Sequence, residues 1–325
     1  GATLSGADFT NVVMHSVGSN AYVELKNTNW STVAMTGIAT AGIDSGPTAV
    51  PSGWGFIGGY LVGPQANLTG QDLSSLNLST VSLAGTNFTS ANLSGANLRT
   101  ASLAGTNFTS ANLSGANLTG QDLSGATITH LNAVGIIGSP TLPANWVEVQ
   151  QVLFGPTANI QSATLNNANL SGVNLQGARI ENSTLTNTNF SGASFSNAVL
   201  INDTFDGSNF NGANFANISI QTGSMNGVTS GNIQGLRGVA NSSYYGPGNN
   251  FVSGMANPNG SSVSLSIAVY NGYIFGGGAN NSGVDFSNNT FPSGAFLGNT
   301  NLHNANFSNV TANNADWSYS WMAGV

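Results

Sequence analysis

The sequence predicts an all-β solenoid whose chain turns a corner every five residues and closes one coil every 20 residues. Three observations carry this prediction. The stretch "SLAGTNFTSANLSGANL" occurs twice without a change, at residues 82–98 and 102–118, an offset of 20. Around it an apolar residue i recurs at every fifth position: Leu68, Leu73, Leu78, Leu83, Phe88, Leu93, Leu98, Leu103, Phe108, Leu113, Leu118, Leu123 and Ile128. Position i−2 is mostly small, as in Ala91, Ala96, Ala111 and Ala116, and position i−1 is Asn, Asp, Ser or Thr. An α-helix would scatter every fifth residue around its circumference, and a flat strand would put successive ones on opposite faces. A coil that bends once per unit directs every i and i−2 residue inward and leaves three polar positions to water. Four such sides make the offset of 20.

The period resumes in a second block, Ile160, Leu165, Leu170, Leu175, Ile180, Leu185, Phe190, Phe195, Leu200, Phe205, Phe210, Phe215, Ile220 and Met225. A third block reads Phe286, Phe291 and Phe296, then slips by one residue to Leu302, Phe307, Ala312 and Trp317. The chain opens in the same pattern with Leu4, Phe9 and Met14. These units resemble the A-(D/N)-L-x-x units of the pentapeptide-repeat family over residues 1–14, 66–130, 158–227 and roughly 284–322. The resemblance implies a right-handed, quadrilateral β-helix.

Three inserted loop or strand segments interrupt the solenoid. "PSGWGFIGGYLVGPQANL" (51–68) aligns with "PANWVEVQQVLFGPTANI" (143–160), so that Trp54 matches Trp146 and Gly63 matches Gly155. "GYIFGGGANNSGVDF" (272–286) echoes "GYLVGPQANLTGQDL" (59–73). The expected organisation is an N-terminal coil and irregular segment (1–36) followed by three modules, 37–130, 131–230 and 231–325, each an insert and a repeat block in one continuous solenoid. Such inserts are similar to those of bacterial, notably cyanobacterial, members of the family. Their aromatic and bulky residues, Trp54, Phe56, Tyr60, Trp146, Phe154 and Tyr273 among them, either cover one side of the helix or form a lateral binding or assembly surface.

Composition excludes several functions. Only four of 325 residues are Lys or Arg, too few for the basic patch that phosphate neutralisation requires, so no nucleic-acid partner is expected. The net charge of −7 comes from 11 scattered acids. Cysteine is absent, which removes disulfides and thiolate metal sites. No apolar run reaches the ~20 residues that span a bilayer. Patterned sequence beginning at Gly1 reads as a processed N-terminus, and with it an extracellular or cell-surface location.

No catalytic arrangement is present. His15, His130 and His303 are far apart, no acid–base pair has helical spacing, and the glycine-rich "FGGGANNSG" (275–283) lacks the lysine and helix of a phosphate loop. No enzyme activity, cofactor or metal is expected. Asp203 takes an inward i−2 position, where a lone carboxylate is costly. Ser183, 20 residues earlier, is the expected hydrogen-bond partner; calcium held by Asn202, Asp203 and Asp206 would need more converging oxygens. The sequons at Asn29, Asn202 and Asn309 arise from, or sit within, the polar pattern and read as incidental.

Neither terminus shows a protecting helix or charged run. Two open ends of one β-helix complement each other, and head-to-tail contact does not close on itself, so it builds filaments. The expected function is a secreted structural protein, a homopolymer joined through Leu4 and Phe9 at one end and Trp317, Tyr319, Trp321 and Met322 at the other. Two other readings stand beside it: a surface adhesin that binds carbohydrate through the inserts, and a DNA-like acidic rod that engages gyrase.

Overall fold

The computed structural model describes residues 7–15, 23–25, 28–225, 227–231, 251–252, 255–256, 262–263, 267–270, 273–276, 279–291, 293–295 and 297–325. The chain forms two compact units, Gly1–Ala144 with Gln151–Leu153, and Asn145–Gln150 with Phe154–Val325. Both are all-β among the described residues.

In the first unit, from Asn67 to Ile137, coils stack on the one 20 residues before. Parallel bridges join Asn77 to Asn97, Ser82 to Ser102, Asn87 to Asn107 and Asn92 to Asn112, four per coil. Between bridges the chain turns: the Thr86 N–H donates to the Leu83 carbonyl at 3.0 Å and Gly85 sits at φ +68°. That left-handed third position is what a type II turn demands. It recurs at every i+2 residue from Gly85 to Gly120 and is filled by Gly, Ser or Thr. The i residues Leu68 to Leu118 and the alanines at i−2 are buried, and Phe88 lies on Phe108 with ring centroids 5.4 Å apart and planes within 9°. The duplicated stretch is therefore a stack in register.

The stack is longer than the five-residue pattern suggests. Asn117 bridges Ile137 and Asp122 bridges Thr141, so the residues beginning the second insert complete a coil of the first unit. At its other end, β1 (Val13–His15) pairs in parallel with β2 (Ala39–Ala41), and the Asn67 N–H donates to the Ile38 carbonyl. The first insert is a hairpin of β3 (Gly55–Ile57) and β4 (Tyr60–Val62) closed by Gly58 and Gly59 at φ +59° and +87°. Two positive-φ residues in a two-residue loop match strand twist.

The second unit repeats the architecture with stronger strands. β5 (Asn159–Gln161), β6 (Thr164–Asn166), β7 (Arg179–Glu181), β8 (Thr184–Thr186), β9 (Val199–Thr204) and β10 (Ser219–Ser224) stack in two columns that β9 joins. The i+2 corners here are chiefly Asn and Gly, from Asn167 at φ +56° to Gly227 at +66°. Asn tolerates the left-handed region better than other non-glycine residues. Phe190, Phe195, Phe205, Phe210 and Phe215 fill the interior, with Phe190 on Phe210 at 5.2 Å and 5°.

Towards the C-terminus β11 (Ala279–Asn280) pairs with β12 (Thr300–Asn301), and Asp285 bridges Asn306 at an offset of 21. The extra residue falls between Phe291 and Leu297, because Leu297 is fully buried with Ala295 at its i−2 position. The one-residue slip thus comes a unit earlier than the sequence pattern suggests, and Phe296 lies outside the described residues.

Candidate interaction surfaces

The polar column at i−1 is the first chemical feature of the coils. Most of these Asn Oδ1 atoms accept the N–H two residues on, as Asn92 does from Ser94 at 3.2 Å. Its Nδ2 can then donate to the coil before. Asn92 gives to Asp72 at 2.9 Å, Asn97 to Asn77 at 3.0 Å, Asn189 to Asn169 at 3.1 Å and Asn209 to Asn189 at 3.2 Å. Asn112 gives to Asn92 at 3.4 Å. Asn87 and Asn107 instead use Oδ1 for the N–H and hydroxyl of Thr89 and Thr109.

Asp203 is 2% exposed. Its Oδ1 accepts the Ser183 N–H at 2.8 Å and its Oδ2 the Ile201 N–H at 3.0 Å. The partner expected from sequence is the right residue through a different atom: the Ser183 hydroxyl donates to the Glu181 carbonyl and accepts the Ala163 N–H, each at 3.1 Å. The cause is the corner. Ile180–Ser183 does not close like Leu83–Thr86, so the amide at its end takes a side-chain acceptor from the following coil. Burial raises the Asp203 carboxyl to about 7, against the two N–H bonds, which lower it. Asn202 donates to Asn182 at 2.9 Å, and no cluster of three His, Asp or Glu residues that could hold a metal occurs among the described residues.

The insert aromatics are differently placed. Trp54 and Trp146 are half-buried and lie flat against Gly63 and Gly155; a Cβ on either glycine would come 2.1 and 2.2 Å from the indole. Phe56 covers Gly46 in the same way and packs on the cluster of Trp30, Met35 and Leu61. Tyr60 is half-buried, and burial with the nearby Asp72 charge raises its hydroxyl. Tyr273 packs edge-on to Phe286 at 5.1 Å. Phe154 is wholly buried, so it belongs to the core and to no surface.

Of the residues expected at the ends, Leu4 lies outside the described residues and Phe9 stacks on Trp30 at 5.0 Å. Trp317 is an inward residue, edge-on to Phe307 at 5.3 Å. Tyr319, Trp321 and Met322 are 93%, 59% and 37% exposed. Tyr319 holds the left-handed corner at φ +60°, and Trp321 takes the i−1 place above Asn301, 4.9 Å from His303. The Phe286, Phe291 and Leu297 N–H groups donate to the carbonyls of Asn306, Thr311 and Asp316 at 2.8, 2.8 and 2.7 Å. The corresponding N–H groups of Phe307, Ala312 and Trp317 find no backbone acceptor among the described residues. Sequence reasoning located this coil through its aromatics, but the row of amides is legible only once the register is known.

A profile of pentapeptide repeats matches residues 65–99, 101–137 and 158–192 in eight copies. Solved structures similar to the chain include HetL from the cyanobacterium Nostoc sp. strain PCC 7120, a pentapeptide repeat protein involved in heterocyst differentiation regulation. It is 16% identical over 96% of this chain and 87% of that one, with a TM-score of 0.16. QnrB1, a plasmid-mediated fluoroquinolone resistance protein, is 19% identical over 50% of this chain and 78% of its own, with a TM-score of 0.19. A pentapeptide repeat protein of the Arabidopsis thaliana thylakoid lumen is 24% identical over 47% and 66%, with a TM-score of 0.10. No curated protein matches the chain in sequence. The period, the stacked register and the matched profile agree that residues 65–99, 101–137 and 158–192 are pentapeptide repeats.

Proposed function

We propose that this chain is a non-enzymatic structural protein of the cell exterior whose copies associate through their coil ends into a filament or sheath. The reading is carried by coil 302–322. Its apolar residues Phe307, Ala312 and Trp317 are only partly covered, and its amides at those positions lack backbone acceptors among the described residues. Tyr319, Trp321 and Met322 add exposed apolar area beside them. Such a row is a template for pairing with another chain. The complementary surface is a coil of the same period, and the N-terminal coil, with Phe9 half-buried and the Ala34 N–H held by the Ala7 carbonyl at 3.1 Å, supplies one. A heterologous contact of this kind propagates.

Carbohydrate binding by the inserts has less support, since Trp54 and Trp146 each spend one ring face on a glycine. Sedimentation of the purified chain over a hundredfold range of concentration tests the proposal. Association that rises with concentration and is lost in Trp321→Asp with Met322→Asp supports it. A monomer throughout, or association that the double variant retains, refutes it.

A further inference from the structure

The first unit has one side where the coils part. In the coil before, the Leu83 and Gly85 N–H groups donate to the carbonyls of Ser102 and Ala104 at 3.0 and 2.8 Å. One coil on, the Leu103 and Gly105 N–H groups take no backbone acceptor among the described residues, and neither does the Asp122 N–H. Ser82 bridges Ser102 and Asp122 bridges Thr141, yet Ser102 and Asp122 form no bridge. The strand at 121–123 is held from its other side instead, where Leu123 N–H donates to Thr141 at 2.8 Å and Thr141 N–H to Gln121 at 2.9 Å. Between the walls lies a cavity of about 410 Å³ lined by Thr100, Leu103, Gly105, Gln121, Asp122 and Ser124, among others.

The separation falls where the i−1 column offers no amide. In neighbouring columns Asn92, Asn97 and Asn112 each span to the coil before at 2.9–3.4 Å. Here the column reads Ser82, Ser102, Asp122: a serine is too short to span, and an ionised aspartate has no donor. Bonds from Ser124 hold the Asp122 carboxyl below its ordinary range, so it stays ionised near neutral pH. Beneath the walls the core is closed, with Leu103 and Leu123 buried.

We propose that this cleft docks an extended, small-residue polypeptide segment of another molecule by strand insertion. The walls present main-chain groups on both sides, so an inserted strand accepts from Leu103 and Gly105 on one side and from Asp122 on the other. That is β-augmentation between two edges, not at one. The closed core beneath leaves no space for a large inward side chain, which selects Gly, Ala and Ser at those positions. The assignment stands apart from end-to-end association and uses none of its residues.

The test is NMR of the amide-labelled full chain with the acetylated, amidated peptide GASGAGASGA. Millimolar peptide shifts the amides of Leu103, Gly105 and Asp122, and slows their hydrogen exchange at least tenfold. The double variant Ser102→Asn with Asp122→Asn restores the amide column, and its peptide affinity falls at least tenfold. Absence of shifts at these amides, or equal affinity in the double variant, overturns the proposal. Independently of any variant, free-protein exchange of Leu103 and Gly105 must be at least tenfold faster than that of Leu83 and Gly85; equal protection also overturns it.

Discussion

An asparagine at i−1 can serve two bonds at once, as Asn92 does, one to the corner of its own coil and one to the coil before. An aspartate in that place can accept but cannot donate. Asp72 and Asp285 accordingly receive an amide from Asn92 and Asn306, both at 2.9 Å, and Asp122 follows Ser102 in its column, not an asparagine. Bonds from Ser74 hold the Asp72 carboxyl below its ordinary range. Asn92→Asp therefore sets two ionised carboxylates one coil apart, where like charges directly opposite destabilise. Its melting temperature falls below that of Asn92→Ala at pH 7, and the gap closes at pH 3. Asp203 behaves oppositely. Its carboxyl sits at about 7 in the folded protein against 3.8 unfolded, so the folded state keeps a proton that the unfolded state has released. Stability from this group is full below pH 4 and is lost as pH rises through 7, by an amount on the order of a few kcal/mol. The neighbouring charges are Glu181, which adds to the rise, and Arg179, which opposes it. Asp203→Ser keeps an acceptor for the Ser183 N–H and removes the titration. Thermal melts between pH 4 and 8 decline for the parent chain and stay level for the variant.

At the scale of the corner and the insert, glycine is used in two ways. Gly70 holds φ +68° with open space around its missing Cβ, so Gly70→Ala meets backbone strain alone, ~1 kcal/mol. Gly63 and Gly155 have no such φ; a Cβ there collides with Trp54 and Trp146. Gly63→Ala and Gly155→Ala each cost about 1–3 kcal/mol, as overpacking does, and expel an indole, read as red-shifted tryptophan emission in denaturant titrations. The alignment of the two inserts matched Trp54 with Trp146 and Gly63 with Gly155, but not the contact of each Trp with its Gly, because a hairpin's path is set by register and not by period. The same limit explains Phe154: its aromatic character suggested a surface, while its strand directs it into the core. Regular coils were readable because one period fixes side-chain direction, corner and neighbour together. The extra residue before Leu297 was not readable at its true place, since Phe296 and Leu297 are both apolar and either satisfies the pattern.

At the scale of the whole molecule, the coil stack gives a rule for what sits on what: a residue rests on the one 20 before it in most coils and 21 before it around Asp285 and Thr290. Polarity is carried outside by amides and hydroxyls, so successive coils meet with little charge repulsion. The proposed end-to-end association extends the internal register across a molecular boundary. It predicts a surface that fails when Trp321 and Met322 become acidic, and not when charges are placed on the flanks of the coils. Electron microscopy of the concentrated chain is the most direct measurement. The account predicts filaments that lengthen with concentration and are absent from the Trp321→Asp, Met322→Asp variant; discrete particles of constant length at every concentration would contradict it.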